Sequence, residues 1–154
     1  MIEGLGVDIV EIDRMASALA RHPGMKERIF SAAERRYCDK RNRPEVHYAL
    51  RFAAKEAVLK ALGTGFSGMK FTDVEVVRDP RGRPAPRLSG RAAEVAGEMG
   101  VVEMYLSLSY THTTAVASAV AITERMRPAT GGEDPATTRN ATFKEMRGLV
   151  DEVE

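Results

Sequence analysis

The stretch that decides the fold is RFAAKEAVLKALGTGF, residues 51–66. On a helical wheel Leu50, Ala53, Ala54, Ala57 and Ala61 share one face of mostly small side chains. Phe52 and Leu59 lie elsewhere, and Val58 and Leu62 on a third side. A helix apolar on so much of its circumference is surrounded by protein. The spacing predicts a helix from about His47 to Leu62, ended by Gly63 as a C′ glycine. Yet the helix carries charge. Glu56 falls between Phe52 and Ala53, and Lys60 is one turn beyond, so the two are i,i+4 neighbours in the favourable order. Arg51 and Lys55 point to roughly the opposite side. As a surface pair, Glu56 and Lys60 would add about 0.2–0.5 kcal/mol. In an apolar surround the carboxylate costs several kcal/mol unless it has a partner, which a lysine or a divalent cation supplies. The segment closes on Gly63, Thr64 and Gly65, whose backbone can approach a phosphate closely.

Upstream, IEGLGVDIVEI reads as a strand ending near Val10, apolar on both faces. DRMASALARHPG follows as a short helix, with Asp13 as its cap, Met15 and Leu19 on one face, and His22-Pro23-Gly24 as its stop. SAAE at 31–34 is a capping box, Ser31 with Glu34, so another helix starts there. That helix is polar, and Pro44 separates it from the next. Downstream, FTDVEVVRD and APRLSG flank the turn PRGRP as a β-hairpin. RAAEVAGEMG is a helix closed by Gly100, and MYLSLSY and TAVASAVAI are two strands joined across THT. The order implies an α+β domain, a mostly antiparallel sheet with helices packed on it, over residues 1–124. RMRPATGGEDPATTRNATF has no apolar period. It makes 125–154 a flexible tail, with a short helix possible at 143–153.

The chain has 154 residues, 44% hydrophobic and 29% charged, as expected of one globular domain. One cysteine excludes an intrachain disulfide, and Cys38 has no Cys/His cluster around it for zinc. No apolar run nears eighteen residues and the N-terminus is not of signal type, so a cytoplasmic protein without a membrane span is expected.

Asp8 is the second carboxylate of interest, because aspartate is disfavoured inside a strand such as GVDIV. It either faces water from an edge strand or serves a site. With Glu56 it could hold Mg²⁺, which takes one or two carboxylates, waters and substrate phosphates. The net charge of +1 says nothing about partners, but charge is uneven: residues 14–43 hold nine basic and three acidic residues. That excess suits an acidic protein partner. Nucleic acid is disfavoured, since only Tyr37 and Tyr48 lie near the run as aromatics.

GLGVDIVEIDRM at 4–15 and RFAAKEAVLKALGTGF at 51–66 resemble the two signature motifs of the holo-acyl-carrier-protein synthases, small bacterial members of the 4′-phosphopantetheinyl transferase superfamily. DPRGRP at 79–84 and LSLSYTHTTAVASAVAI at 106–122 are similar to that family's hairpin turn and final hairpin. The resemblance covers residues 1–124. It implies Mg²⁺-dependent transfer of 4′-phosphopantetheine from coenzyme A to a serine of apo acyl carrier protein, releasing adenosine 3′,5′-bisphosphate, in a homotrimer with sites between subunits. It implies Asp8 and Glu56 as metal ligands and catalytic groups, and Lys60 beside the substrate phosphates. Arg51, Gly63, Thr64 and Gly65 fall to coenzyme A, and Arg14 and Arg21 to the carrier protein. Glu56, directly or through a metal-bound water, is the expected proton acceptor. One departure concerns the family's histidine: Tyr110 stands in the place assigned to it, and His112 two residues on could substitute. The alternative is a non-enzymatic module that binds an acidic protein or RNA through residues 14–43, which leaves Asp8 unexplained.

Overall fold

The computed structural model describes residues 1–63 and 68–124. Its elements are β1 (Ile2–Glu11), α1 (Ile12–Arg21), α2 (Met25–Ile29), α3 (Ala32–Asp39), α4 (Pro44–Ala61), a 3-10 turn (Phe71–Asp73), β2 (Val74–Arg78), β3 (Pro84–Leu88), α5 (Gly90–Glu98), β4 (Val101–Tyr110) and β5 (Thr114–Thr123). The architecture is α+β. All strand pairs are antiparallel, but they form two sheets: β1-β5-β4, and the separate hairpin β2-β3.

Helix α4 is the axis of the fold. Twelve of its eighteen residues are buried, from every side of the wheel. It starts three residues before the expected His47, because Pro44 opens the helix rather than separating it from its neighbour. Proline at the first helical position loses no hydrogen bond and brings a suitable φ. Gly63 ends the helix at φ +70°, as its sequence position requires. Ala117, Ala119 and Ala121 of β5 are buried in one core cluster with Ala53, Ala54, Ala57 and Ala61 of α4. Small side chains on both elements let sheet and helix approach closely.

The closest approach is that of β1. A Cβ on Gly4 would lie 1.8 Å from the Ala61 carbonyl oxygen, and one on Gly6 1.9 Å from that of Ala57. Here β1 lies backbone to backbone on α4, which only glycine permits. Strand periodicity then puts Asp8 on the same face, two residues along. Leu5, Val7 and Ile9 point the other way and are exposed. The sequence shows apolar residues on both faces of this strand; the structure buries only the one that carries the glycines.

Helix α1 begins at Ile12, with Glu11 as an N-cap that makes no side-chain bond, so Asp13 is not the expected cap. Asp13 sits in the first turn instead, where its charge faces the positive end of the helix. Ile12, Met15, Phe30 and Tyr48 belong to a second core cluster beneath α1, α2 and α3. The capping box of α3 is complete: Glu34 N–H donates to Ser31 Oγ at 3.2 Å and Ser31 N–H to Glu34 Oε2 at 2.9 Å. The first three residues of FTDVEVVRD form the 3-10 turn rather than strand.

Candidate active site

Docking β1 on α4 brings Asp8 and Glu56 into one cleft of about 540 Å³, lined also by Ile9, Arg14, Met15 and Phe52. Both carboxylates are half-buried. Burial, and then the neighbouring Asp8 charge, push the Glu56 carboxyl above its ordinary value, while Lys60 pulls the other way. Lys60 donates to Asp8 Oδ1 at 2.8 Å and to the Val7 carbonyl at 3.0 Å. Its ion-pair partner is therefore Asp8, not Glu56. The strand supplies both a carbonyl and a carboxylate within one lysine's reach, and the i,i+4 helix neighbour does not compete. Among the described residues no group of three His, Cys, Asp or Glu forms a metal-binding cluster. Two hard oxygen donors with open space beside them fit Mg²⁺, which leaves its remaining positions to water and phosphate oxygens.

Arg51 and Lys55 lie away from that cleft, and both are buried rather than presented to solvent. The Arg51 guanidinium packs 3.9 Å from the centre of the Tyr37 ring, and Arg41 lies 4.1 Å from the same centre. Arg78 donates to the Tyr37 hydroxyl at 2.6 Å. Arg51 Nε is buried without a hydrogen-bond partner. Burial alone would raise the Tyr37 phenol, but the Arg78 hydrogen bond and the charges of Arg78, Arg51 and Arg41 outweigh it and bring it down. Burial, followed by Arg51, Arg41 and Arg78, also holds the His47 imidazole below its ordinary value. Tyr37, His47, Arg51, Arg78 and Tyr110 line a second cleft of about 240 Å³ whose walls hold no carboxylate. Three guanidinium groups around one ring form a positive wall suited to phosphate. Tyr37 and Arg78 were not anticipated from the sequence. The crowding of arginines before residue 43 was visible, but nothing linear pairs Tyr37 with a hairpin residue forty-one positions away.

Tyr110, at the end of β4, is 55% exposed and faces this second cleft. His112 lies exposed in the turn between β4 and β5, two residues beyond Tyr110. Arg14 and Arg21 line a groove along α1 with Asp13, Ser17 and His22, and Arg14 also reaches the acidic cleft. Gly63 stands at the end of α4 beside Lys60; Thr64, Gly65 and the 125–154 segment lie outside the described residues.

The chain matches the family model of the 4′-phosphopantetheinyl transferase superfamily over residues 4–117. It is 49% identical over 123 residues to a holo-[acyl-carrier-protein] synthase of Desulforudis audaxviator, covering 79% of this chain and 94% of that protein. A solved holo-[acyl-carrier-protein] synthase from Neisseria meningitidis superposes with a TM-score of 0.72 at 32% identity, over 79% of this chain and 99% of that one. A Bacillus anthracis holo-(acyl-carrier-protein) synthase in complex with CoA (3′,5′-ADP) superposes with a TM-score of 0.66 at 35% identity, over 80% and 99%.

Proposed function

The chain belongs to the 4′-phosphopantetheinyl transferase superfamily, and from that premise we propose how its two clefts carry out the family's transfer. The enzyme moves 4′-phosphopantetheine from coenzyme A to a serine hydroxyl of apo acyl carrier protein. The serine oxygen forms a bond to the β-phosphorus and the bond to the bridging oxygen breaks. Adenosine 3′,5′-bisphosphate leaves with the electron pair. Charge builds on the phosphate oxygens, so catalysis rests on positioning and neutralisation.

The observation that carries the reading is the convergence of Asp8 and Glu56 in one cleft. These two carboxylates would hold Mg²⁺ against the diphosphate, and the ion would supply charge neutralisation there. Lys60, held by Asp8 and the Val7 carbonyl, brings a positive charge to the same oxygens. Glu56 accepts the serine proton, directly or through water. Arg14 continues from this cleft onto the α1 groove, which with Arg21 takes the acidic carrier protein. Arg51, with Tyr37 and Arg78, lines the second cleft and receives a phosphate of coenzyme A there. Gly63, Thr64 and Gly65 are assigned to coenzyme A binding, as the resemblance implies.

Arg51 and Glu56 serve different clefts, which supports a site built between subunits. The outer face of β1-β5-β4 supports the same conclusion. Leu5 pairs with Val120 and Ile9 with Val116 across the strands, and Leu5 and Ile9 are 71% and 65% exposed. An exposed apolar row of this kind on β1, continued by Val116 and Val120 of β5, is covered by protein, and the homotrimer covers it. Residues 1–124 form the catalytic domain, and 125–154 a dispensable tail. No helix among the described residues is long and apolar enough to cross a membrane, and the enzyme acts in the cytoplasm on carrier protein, not nucleic acid.

The test incubates the chain with coenzyme A, Mg²⁺ and an apo carrier protein and follows the carrier by intact mass. A mass gain that is lost with EDTA, and lost in folded Glu56→Gln and Asp8→Asn variants, supports the assignment. Near-normal turnover in either variant removes the proposed metal site.

A further inference from the structure

Among the described residues the most deeply buried ionic pair is one that the transfer chemistry does not use. Lys55 Nζ lies 2.8 Å from Glu34 Oε2, with both side chains excluded from solvent. Its other two protons go to the carbonyls of Phe71, at 3.0 Å, and Val74. Glu34 accepts Ser31 N–H on Oε2 and Val76 N–H on Oε1, the latter at 2.8 Å. Every donor of the ammonium and both carboxylate oxygens are thus engaged. Such a pair adds little net stability over apolar groups of the same shape, so stability alone does not account for it.

Its placement does. Glu34 and Tyr37 are i,i+3 on α3 and share a face; Val76 and Arg78 are i,i+2 on β2 and share another. The Glu34–Val76 contact is a buried rung, and the Tyr37–Arg78 hydrogen bond at 2.6 Å is the next rung out. Lys55 lies one helical turn from Arg51 on α4. One pair therefore registers three elements whose outward residues are Tyr37, Arg78 and Arg51. We infer that Glu34 and Lys55 are positioning residues that key β2 onto α3 and α4, and so set the spacing of the guanidinium wall that takes a phosphate of coenzyme A. This rests on the wall's role given above. Lys55 touches no substrate; it acts through Arg51 and Arg78.

The experiment compares Glu34→Gln, Lys55→Met, the double variant and Arg78→Ala, with KM for coenzyme A, KM for apo carrier protein, kcat and Tm as readouts. Each single variant leaves a buried charge unpaired and loses stability, and either could fail to fold. The double variant has no unpaired charge and recovers much of that loss. The expected result is that the double variant, though stable, keeps a KM for coenzyme A raised by about tenfold, a part of the roughly 100-fold that a full ångström of misplacement can cost. Its KM for carrier protein stays as in the wild type. A double variant that regains both stability and the wild-type KM for coenzyme A overturns the inference, as does equal damage to both substrates' KM. If Arg78→Ala itself leaves the KM for coenzyme A unchanged, the wall's role fails, and the inference with it.

Discussion

Replacing Gly6 with alanine tests whether β1 truly rests on the backbone of α4. The new Cβ would sit 1.9 Å from the Ala57 carbonyl oxygen and 2.8 Å from both the Ala57 carbonyl carbon and the Ala61 nitrogen. Ordinary contact begins near 3.4 Å, so the overlap with the oxygen is about 1.5 Å. The obstacle is helix backbone and cannot swing aside. β1 must lift off α4, or the strand must distort. Overpacking of this severity belongs at the upper end of its range, about 3 kcal/mol, which for a domain of this size lowers Tm by roughly 10 °C. Asp8 is two residues along the same face, so the lift also carries its carboxylate away from Glu56. A displacement of about 1 Å at such a site costs about 100-fold in rate. Thermal unfolding and the carrier-protein transfer assay measure both effects. Gly97→Ala on α5 is the control: a Cβ there meets nothing within 4 Å, and alanine in a helix is neutral or stabilising by up to about 1 kcal/mol. A Gly6→Ala protein that melts within a degree or two of the wild type, with normal transfer, would refute this packing.

Two further outcomes follow from other parts of the molecule. Lysine at Leu5 faces outward and spares the core, so the variant keeps its melting cooperativity but sediments as a monomer and loses transfer; a variant that still sediments with the wild-type assembly would show that this sheet face is not the interface. His47 is held below its ordinary value of about 6.5, so as pH falls through that value the unfolded chain takes up the proton before the folded one, and stability declines on the acid side while nothing is lost above it. Urea unfolding across a pH series should show His47→Gln flattening that decline, and an unchanged slope in the variant would contradict the assignment.

The two halves of the fold differ in how openly the sequence displays them. Helix α4, the Ser31–Glu34 capping box and the β2-β3 hairpin were legible because their signals are local: periodicity, a four-residue box and turn residues. The start of α4 was misjudged because a proline can end one element or open the next, and its sequence context does not say which. α2 leaves no trace in the sequence because five residues between Gly24 and Phe30 carry too short a period to register. The role of Gly4 and Gly6 was hidden, because a glycine in a strand signals close approach without naming what approaches. Helical spacing gave the directions of Arg51 and Lys55 correctly relative to Glu56. It could not show that Glu34, Val74 and Tyr37 close over them, since those contacts depend on elements far along the chain. Asp8 drew notice through its chemistry, an acid inside an apolar strand, but its approach to Glu56 is a property of the β1–α4 docking alone.

Whether Asp8 and Glu56 share one cation is tested directly by titration of Mn²⁺ in the presence of coenzyme A, followed by electron paramagnetic resonance. The expected result is one bound ion per chain in the wild type, displaced by Mg²⁺, and loss of that ion in both Asp8→Asn and Glu56→Gln. Retention of the bound ion at wild-type affinity in either folded variant would contradict it.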